Sequence, residues 1–305
     1  MQKFHPAWRW IRARSPGPSA VVLALALLLG EAQAQAHDAL ILSSQAGDPY
    51  EQLAESAARH LAAARFAATR ALMDQPGWQA LVPAKQVLLA IGTRAYAALR
   101  AQDAARTVVG CGVLRPTEGP AVRLEHSHEV RARLVHAVLP GARALGLLRG
   151  QGAAPADRAA FHRATDESGL RLLVREVLPG ATGDEALASL AGRVDVLTVT
   201  YDLDISNPSA SNRVRLYGYQ NRIPVFGLSE AWARAGALVS LDWDWEDLGR
   251  QCADMAVRVA RSPESRHPEI EHPRATPYVI SRRAAAFFRI ALKPEFVRGA
   301  RRVYD

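Results

Sequence analysis

The sequence predicts an α/β chain of two doubly wound parallel-sheet lobes, and three observations carry that expectation. Short apolar runs bounded by Gly, Pro, Asp or Ser alternate with helix-forming segments from Asp38 to Gly112. Strand, helix, strand, helix is the grammar of a parallel sheet covered on both faces. The alternation then breaks at VLRPTEGP (Val113–Pro120), which has two prolines and a glycine and reads as a passage between lobes. It resumes afterwards and is clearest between Val194 and Gln251, where Val194–Thr200, Ile223–Phe226 and Ala237–Leu241 look like buried strands.

In chain order, Asp38–Ser44 is a strand ending in hydroxyls. Pro49–Ala64 is a helix, with Asp48 as N-cap, Pro49 at its first position, and Leu53, Ala57 and Leu61 at helical spacing. Phe66–Met73 and Gln86–Ile91 are strands; a turn at Gly92-Thr93 leads into helix Arg94–Gln102 and then strand Arg106–Gly112, a lobe of about four parallel strands. After the break come strand Ala121–Glu125, helix His128–Val138, strand Ala144–Leu148, helix Pro155–Ser168, strand Leu170–Val177 and helix Asp184–Leu190. Asp244–Ala260 is a long amphipathic helix with Leu248, Cys252, Met255, Ala256 and Val259 on one face. Ser262–Pro277 reads as a linker, Tyr278–Ile280 as a last short strand, and a helix follows through Leu292.

Ligands of such sheets bind beyond the carboxyl ends of the strands. Strand ends that feed helix N-termini offer free backbone N–H groups, which favour a carboxylate. Ser43, Ser44, Gly92 and Thr93 stand at such places in the first lobe, and Ser229 in the second. A ligand ammonium needs acidic partners, for which Asp202, Glu230 and Asp242 are the candidates, and Tyr201 is placed to stack on an apolar part. Arg115 or Arg149 offers an anion partner. Each has a structural alternative: Ser and Thr at these positions are often helix caps, and Asp202 shapes a turn equally well.

The N-terminus reads as a secretory signal peptide over residues 1–36. Lys3, Arg9, Arg12 and Arg14 precede the apolar run Ala20–Leu29, and Ala32-Gln-Ala34-Gln-Ala36 offers cleavage after Ala34 or Ala36. The run is too short for a confident membrane span. Of the net charge of +8 in 305 residues, this leader contributes +3. The rest is spread along the chain, which argues against a nucleic-acid partner, since that would need a concentrated basic patch. Arg298-Gly-Ala-Arg-Arg302 is a short terminal cluster that reads as a solvated tail. Cys111 and Cys252 both fall at buried positions; an oxidising compartment permits a bridge, but free core thiols are favoured over one.

The stretch Tyr201-Asp202, Arg222-Ile-Pro-Val-Phe-Gly-Leu-Ser-Glu230, Ala235-Gly-Ala237 and Asp247-Leu-Gly-Arg-Gln251 resembles the ABC-transporter substrate-binding family of periplasmic binding proteins, in the branch close to aromatic amino-acid binders. The resemblance is specific over Val194–Ala260 and looser over Asp38–Gly112 and Val122–Leu190. It implies a type I periplasmic binding fold with crossovers near residues 119, 242 and 265. One lobe would then span 37–119 plus 242–265 and the other 120–241 plus 266–305. It further implies a periplasmic monomer without cofactor or catalysis. Such a protein takes a small-molecule ligand, an amino acid or similar zwitterion or anion, by hinge closure and delivers it to an ABC permease. Two features depart from the family pattern: the Asp-Pro after the fourth strand is missing, with Arg115 in its neighbourhood, and Tyr278-Val-Ile-Ser281 lacks the usual Asn.

Rival readings are weaker. Gly227-Leu-Ser229-Glu-Ala231 lies on a strand-to-helix turn like a nucleophile elbow, but it lacks the second Gly and a placed acid and His. His126, His128 and His136 lack the Cys or carboxylate spacing of a metal site. Trp243 and Trp245 suit either a sugar platform or packing at the lobe interface. The main alternative to transport is a diverged accessory or sensory protein of the cell envelope.

Overall fold

The computed structural model describes residues 37–103, 106–116, 118–150, 155–178, 180–201, 207–262 and 269–305. The signal-peptide expectation and Asp202 lie outside the described residues. No helix among the described residues is long and apolar enough to cross a membrane.

The first lobe is a six-stranded, wholly parallel sheet. Its strands are β1 (His37–Ser43), β2 (Phe66–Leu72), β3 (Val87–Ile91), β4 (Val108–Val113), β5 (Ala121–Arg123) and β11 (Ile270–Glu271), in the spatial order β11-β5-β4-β3-β1-β2. Strands β3 and β4 are buried at every position, as continuous apolar runs require when both faces are covered. One face carries helix α1 (Tyr50–Ala63) and helix α9 (Trp245–Arg261); their apolar stripes, Leu53, Ala57 and Leu61 against Leu248, Cys252, Met255 and Ala256, form one core. The other face carries α2 (Trp78–Leu81) and α3 (Thr93–Gln102), with Trp78, Ala95, Tyr96 and Leu99 over Leu40, Leu42 and Leu88. Helices α1 and α9 meet closely because Gly249 has no side chain: a Cβ there would stand 2.6 Å from the Ser56 Cβ and 2.8 Å from the Leu53 carbonyl oxygen.

The second lobe is a seven-stranded sheet in the order β13-β12-β10-β9-β8-β6-β7. Five parallel strands form its body: β6 (Ala144–Gly150), β7 (Arg171–Val177), β8 (Val196–Val199), β9 (Val225–Gly227) and β10 (Val239–Leu241). Strand β12 (Tyr278–Ser281) runs antiparallel to β10, and β13 (Arg302–Tyr304) lies parallel to β12. The covering helices are α4 (His128–Val138), α5 (Pro155–Glu167), α6 (Asp184–Ala188), α7 (Pro208–Asn221), α8 (Glu230–Arg234), α10 (Arg282–Phe288) and α11 (Pro294–Gly299). Side chains cap several of them: Ser127 Oγ accepts from Val130 N at 3.3 Å and Asn207 Oδ1 from Ala210 N at 2.9 Å.

Five expectations need correction. Strand Ala121–Arg123, expected in the second lobe, belongs to the first sheet: Gly110 N donates to Pro120 O at 2.9 Å, so the ladder runs through the proline-rich passage. The expected linker holds β11, whose neighbour Glu269 accepts from Ala121 N at 3.1 Å, so the chain joins the second sheet only after His272. Helix α1 begins at Tyr50 with Pro49 at its N-cap and no side-chain cap bond, so Asp48 does not cap it. Cys111 and Cys252 form a disulfide, because α9 crosses β4 with the two Cα atoms 5.6 Å apart. The terminal cluster is likewise no loose tail, since Arg302 lies in β13.

Candidate functional site

The passages between lobes leave the carboxyl ends of β5, β10 and β11, the strand ends beyond which ligands of such sheets bind. Three crossing segments meet there, Leu124–Ser127, Asp242–Asp244 and His272–Pro277, and hydrogen bonds lace them together. Trp243 Nε1 donates to Leu124 O at 2.7 Å, His126 Nε2 to Asp242 O at 2.9 Å, His272 Nδ1 to Glu125 O at 2.7 Å, and Asp242 N to Pro277 O at 2.8 Å. Each histidine nitrogen facing a carbonyl must carry the proton.

An aromatic wall stands at this junction. Trp243 stacks on Trp245 with centroids 5.0 Å apart, on His126 at 5.8 Å, and meets the edge of Tyr201 at 5.6 Å. Tyr201 packs against the cores of both lobes, and burial raises its phenol pKa. His126 is buried, and loss of water together with the nearby Arg131 charge lowers its pKa to about 3, so it stays a neutral ring. Its Nδ1 has no hydrogen-bond partner among the described residues.

Beneath the wall lies a buried ion pair. Arg131 Nη2 donates to Glu125 Oε1 at 3.1 Å, and Nη1 to Val199 O at 2.9 Å. The same Glu125 oxygen accepts from Tyr201 N at 3.3 Å. Burial lowers the Arg131 pKa, with Glu125 opposing the shift. Between this pair and the apolar floor of Phe226, Leu228 and Leu241 is a cavity of about 20 Å³. That volume holds about one water molecule, whereas a ligand pocket needs roughly 300 Å³ or more. A second cavity of about 320 Å³ lies at the ends of β1 and β2, lined by Ser43, Gln45, Gly47, Glu51, Arg70 and Gln75.

The predicted residues divide by what already occupies them. Ser44 Oγ donates to Ile91 O and accepts from Ala95 N, both at 2.9 Å, so it caps α3. Gly92, at φ +84°, packs so tightly that a Cβ would stand 2.7 Å from Ser44 Oγ and from the Tyr50 ring. Thr93 Oγ1 accepts from Leu114 N at 2.9 Å. Arg115, half-buried, follows β4 with φ +50°. Glu230 pairs with Arg302 at 2.7 Å and accepts from Tyr304 Oη, which holds its carboxyl below the usual range. Asp242 accepts from Glu230 N at 3.4 Å and pairs with Arg301 at 3.2 Å; burial raises its pKa. Ser43 faces the larger cavity, Ser229 stands half-buried at the head of α8, and Tyr201 lines the smaller cavity. Sequence reasoning missed Glu125, Arg131 and Thr198 as lining residues; the only signal was a charge inside an apolar helix face, at Arg131 of α4.

Residues 122–303, more than half of the chain, match the family model described as ABC transporter substrate binding protein. No curated protein sequence matches the chain. Among solved structures, an ABC domain in complex with L-Trp from Streptococcus pneumonia is 16% identical, with a TM-score of 0.62 over 88% of this chain and 99% of its own. The ligand-free, open form of a substrate-binding protein with adhesive properties from Clostridium difficile is 17% identical, with a TM-score of 0.65 over 88% and 99%. A periplasmic ribose ABC transporter protein from Conexibacter woesei is 12% identical, with a TM-score of 0.52 over 85% and 96%. The likenesses confirm the type I periplasmic binding fold, and the match over residues 122–303 shows that the chain belongs to the ABC transporter substrate-binding protein family.

Proposed function

We propose that the chain captures an amino acid or a similar small zwitterion or anion between its lobes and delivers it to an ABC permease in the periplasm. The observation that carries this reading is the aromatic wall of Tyr201 and Trp243, set where the three crossing segments meet and packed against both cores. An apolar or aromatic side chain of the ligand stacks there, in keeping with the L-Trp held by the Streptococcus pneumonia relative. Backbone N–H groups at Thr93 and Ser229 receive the carboxylate, with Gly92 shaping the turn and Ser43 and Arg115 at the rim. Asp202, Glu230 and Asp242 are the ammonium partners, the last two by exchanging Arg302 and Arg301 for the ligand. The small cavity admits no amino acid as it stands, so capture proceeds by opening and closing about the crossing segments. The disulfide and the N-terminal leader support export, since disulfides persist in oxidising compartments.

A second reading, an envelope interaction protein without transport, draws on the two arginines that already neutralise Glu230 and Asp242. A thermal-shift screen of the chain from His37 onward against amino acids, peptides, sugars and organic anions separates the two. A ligand at a hundredfold over its Kd stabilises by about 2.7 kcal/mol. The shift should appear with one ligand class and vanish in Tyr201→Ala. No shift from a cooperatively folded chain would favour the interaction protein.

A further inference from the structure

At the far end of the second lobe, away from the cleft, lies a cavity of about 520 Å³. It is placed by Tyr219, in the last turn of α7 ahead of β9, by Ala235–Gly236 in the turn ahead of β10, and by Ser281, the end of antiparallel β12. These mark the opposite end of the sheet from Tyr201, Ser229 and Asp242. Its floor is tied across by Tyr219 Oη, which donates to Gly236 O at 3.1 Å.

Three arginines surround it. Arg215 is held in place by Ala235 O and by Asn212 Oδ1 at 2.6 Å. Arg234 and Arg283 line the cavity, are exposed, and make no hydrogen bond or ion pair among the described residues. The lining carboxylate, Asp305, faces Arg282 at 3.5 Å. Apolar surface adjoins this charge. Among the described residues only three large apolar side chains are strongly exposed, and two of them are here: Leu216 at 58%, lining the cavity, and Phe287 at 40%, its ring 4.6 Å from Tyr219. Exposed apolar groups beside arginine and tyrosine mark interaction surfaces, and these are the residue types that carry binding energy at interfaces.

We propose that this face docks an acidic protein segment carrying an apolar anchor. Its carboxylates meet Arg234 and Arg283, and the anchor covers Leu216 and the Phe287 ring. The face lies at the opposite end of the sheet from the strand ends that face the cleft, and Tyr304, which lines this cavity, reaches Glu230 at the head of α8.

The test is fluorescence anisotropy at fixed ionic strength with a labelled peptide of alternating glutamate and leucine, and with its lysine-for-glutamate counterpart. The chain should bind the first and not the second. Arg234→Glu with Arg283→Glu should weaken binding by about tenfold or more, and Leu216→Ala should weaken it severalfold. Arg193→Glu, an exposed arginine elsewhere on the lobe, and Tyr201→Ala in the cleft should leave it unchanged, with circular dichroism melts confirming that each variant folds. Absence of binding overturns the proposal. So does equal weakening by Arg193→Glu, which would show diffuse charge. Displacement by inorganic phosphate at matched ionic strength would make the cavity a small-anion site instead. Self-association in sedimentation, abolished by the paired arginine variant, would make the occupant a second copy of the chain.

Discussion

The two lobes share a strand–helix grammar but are held together differently. The first is clamped: α1 and α9 interlock over Gly249, and the Cys111–Cys252 bridge fixes α9 to β4. The second has no such bridge, and next to the crossing segments it buries charge, with Arg131 against Glu125 and Val199 O beneath a neutral His126. Apolar interlock tolerates changes in pH, whereas a buried ionic network depends on every member keeping its partner. The contrast casts the first lobe as the fixed half and the second as the half whose stability responds to its surroundings.

The contrast can be broken from either side. The largest effect is expected in the first lobe. Joining residues 141 apart constrains the unfolded chain by about 5 kcal/mol in the chain-entropy account. Cys111→Ala with Cys252→Ala should lose stability on that scale in guanidinium unfolding, and a loss below about 1 kcal/mol would refute the clamp.

Next is the buried pair. Arg131→Ala leaves Glu125 uncompensated and should cost about 3–5 kcal/mol. Replacing both partners, Arg131→Met with Glu125→Leu, should cost clearly less. Equal losses would mean that the pair is not what the second lobe depends on.

The smallest effect is in pH. His126 has a folded pKa of about 3 against 6.5 when unfolded, so below pH 6.5 the unfolded chain takes up a proton that the folded chain refuses. Stability is therefore full above pH 6.5 and falls as pH drops, by about 2 kcal/mol at pH 5 from this residue alone. Urea unfolding at pH 7 and pH 5 should show that difference in the parent chain and not in His126→Asn. A parallel pH response in both would remove His126 from the account.

How far the molecule was legible in its sequence follows from what each element rests on. The buried strands β1, β3 and β8 and the helices α4 and α9 declared themselves, because continuous apolar runs and helical spacing are local signals. β11 and β13 did not: they are two and three residues long, half-exposed or polar, and exist only because an edge strand lies beside them. The position of Ala121–Arg123 failed for a related reason, since Pro116 and Pro120 look like a boundary while Pro120 O still serves the ladder. The cysteine pairing needed the crossing of α9 over β4, which no spacing encodes. At the candidate site, Tyr201 was legible from its place at a strand end. The arginine partners of Glu230 and Asp242 come from residues 301 and 302, far along the chain and inside a segment that read as a tail. Arg131 and Glu125 escaped notice because a charge on a helix is ordinarily a solvated one.

The Cys111–Cys252 bridge also closes the chain into a ring. Residues 112–251, most of the second lobe, form one loop leaving and re-entering the first lobe at a single covalent knot. A protease that cuts once inside that loop opens the ring without releasing a piece. Both halves stay threaded to the same sulfurs, and the nicked chain keeps its full mass on a non-reducing gel until a thiol divides it in two.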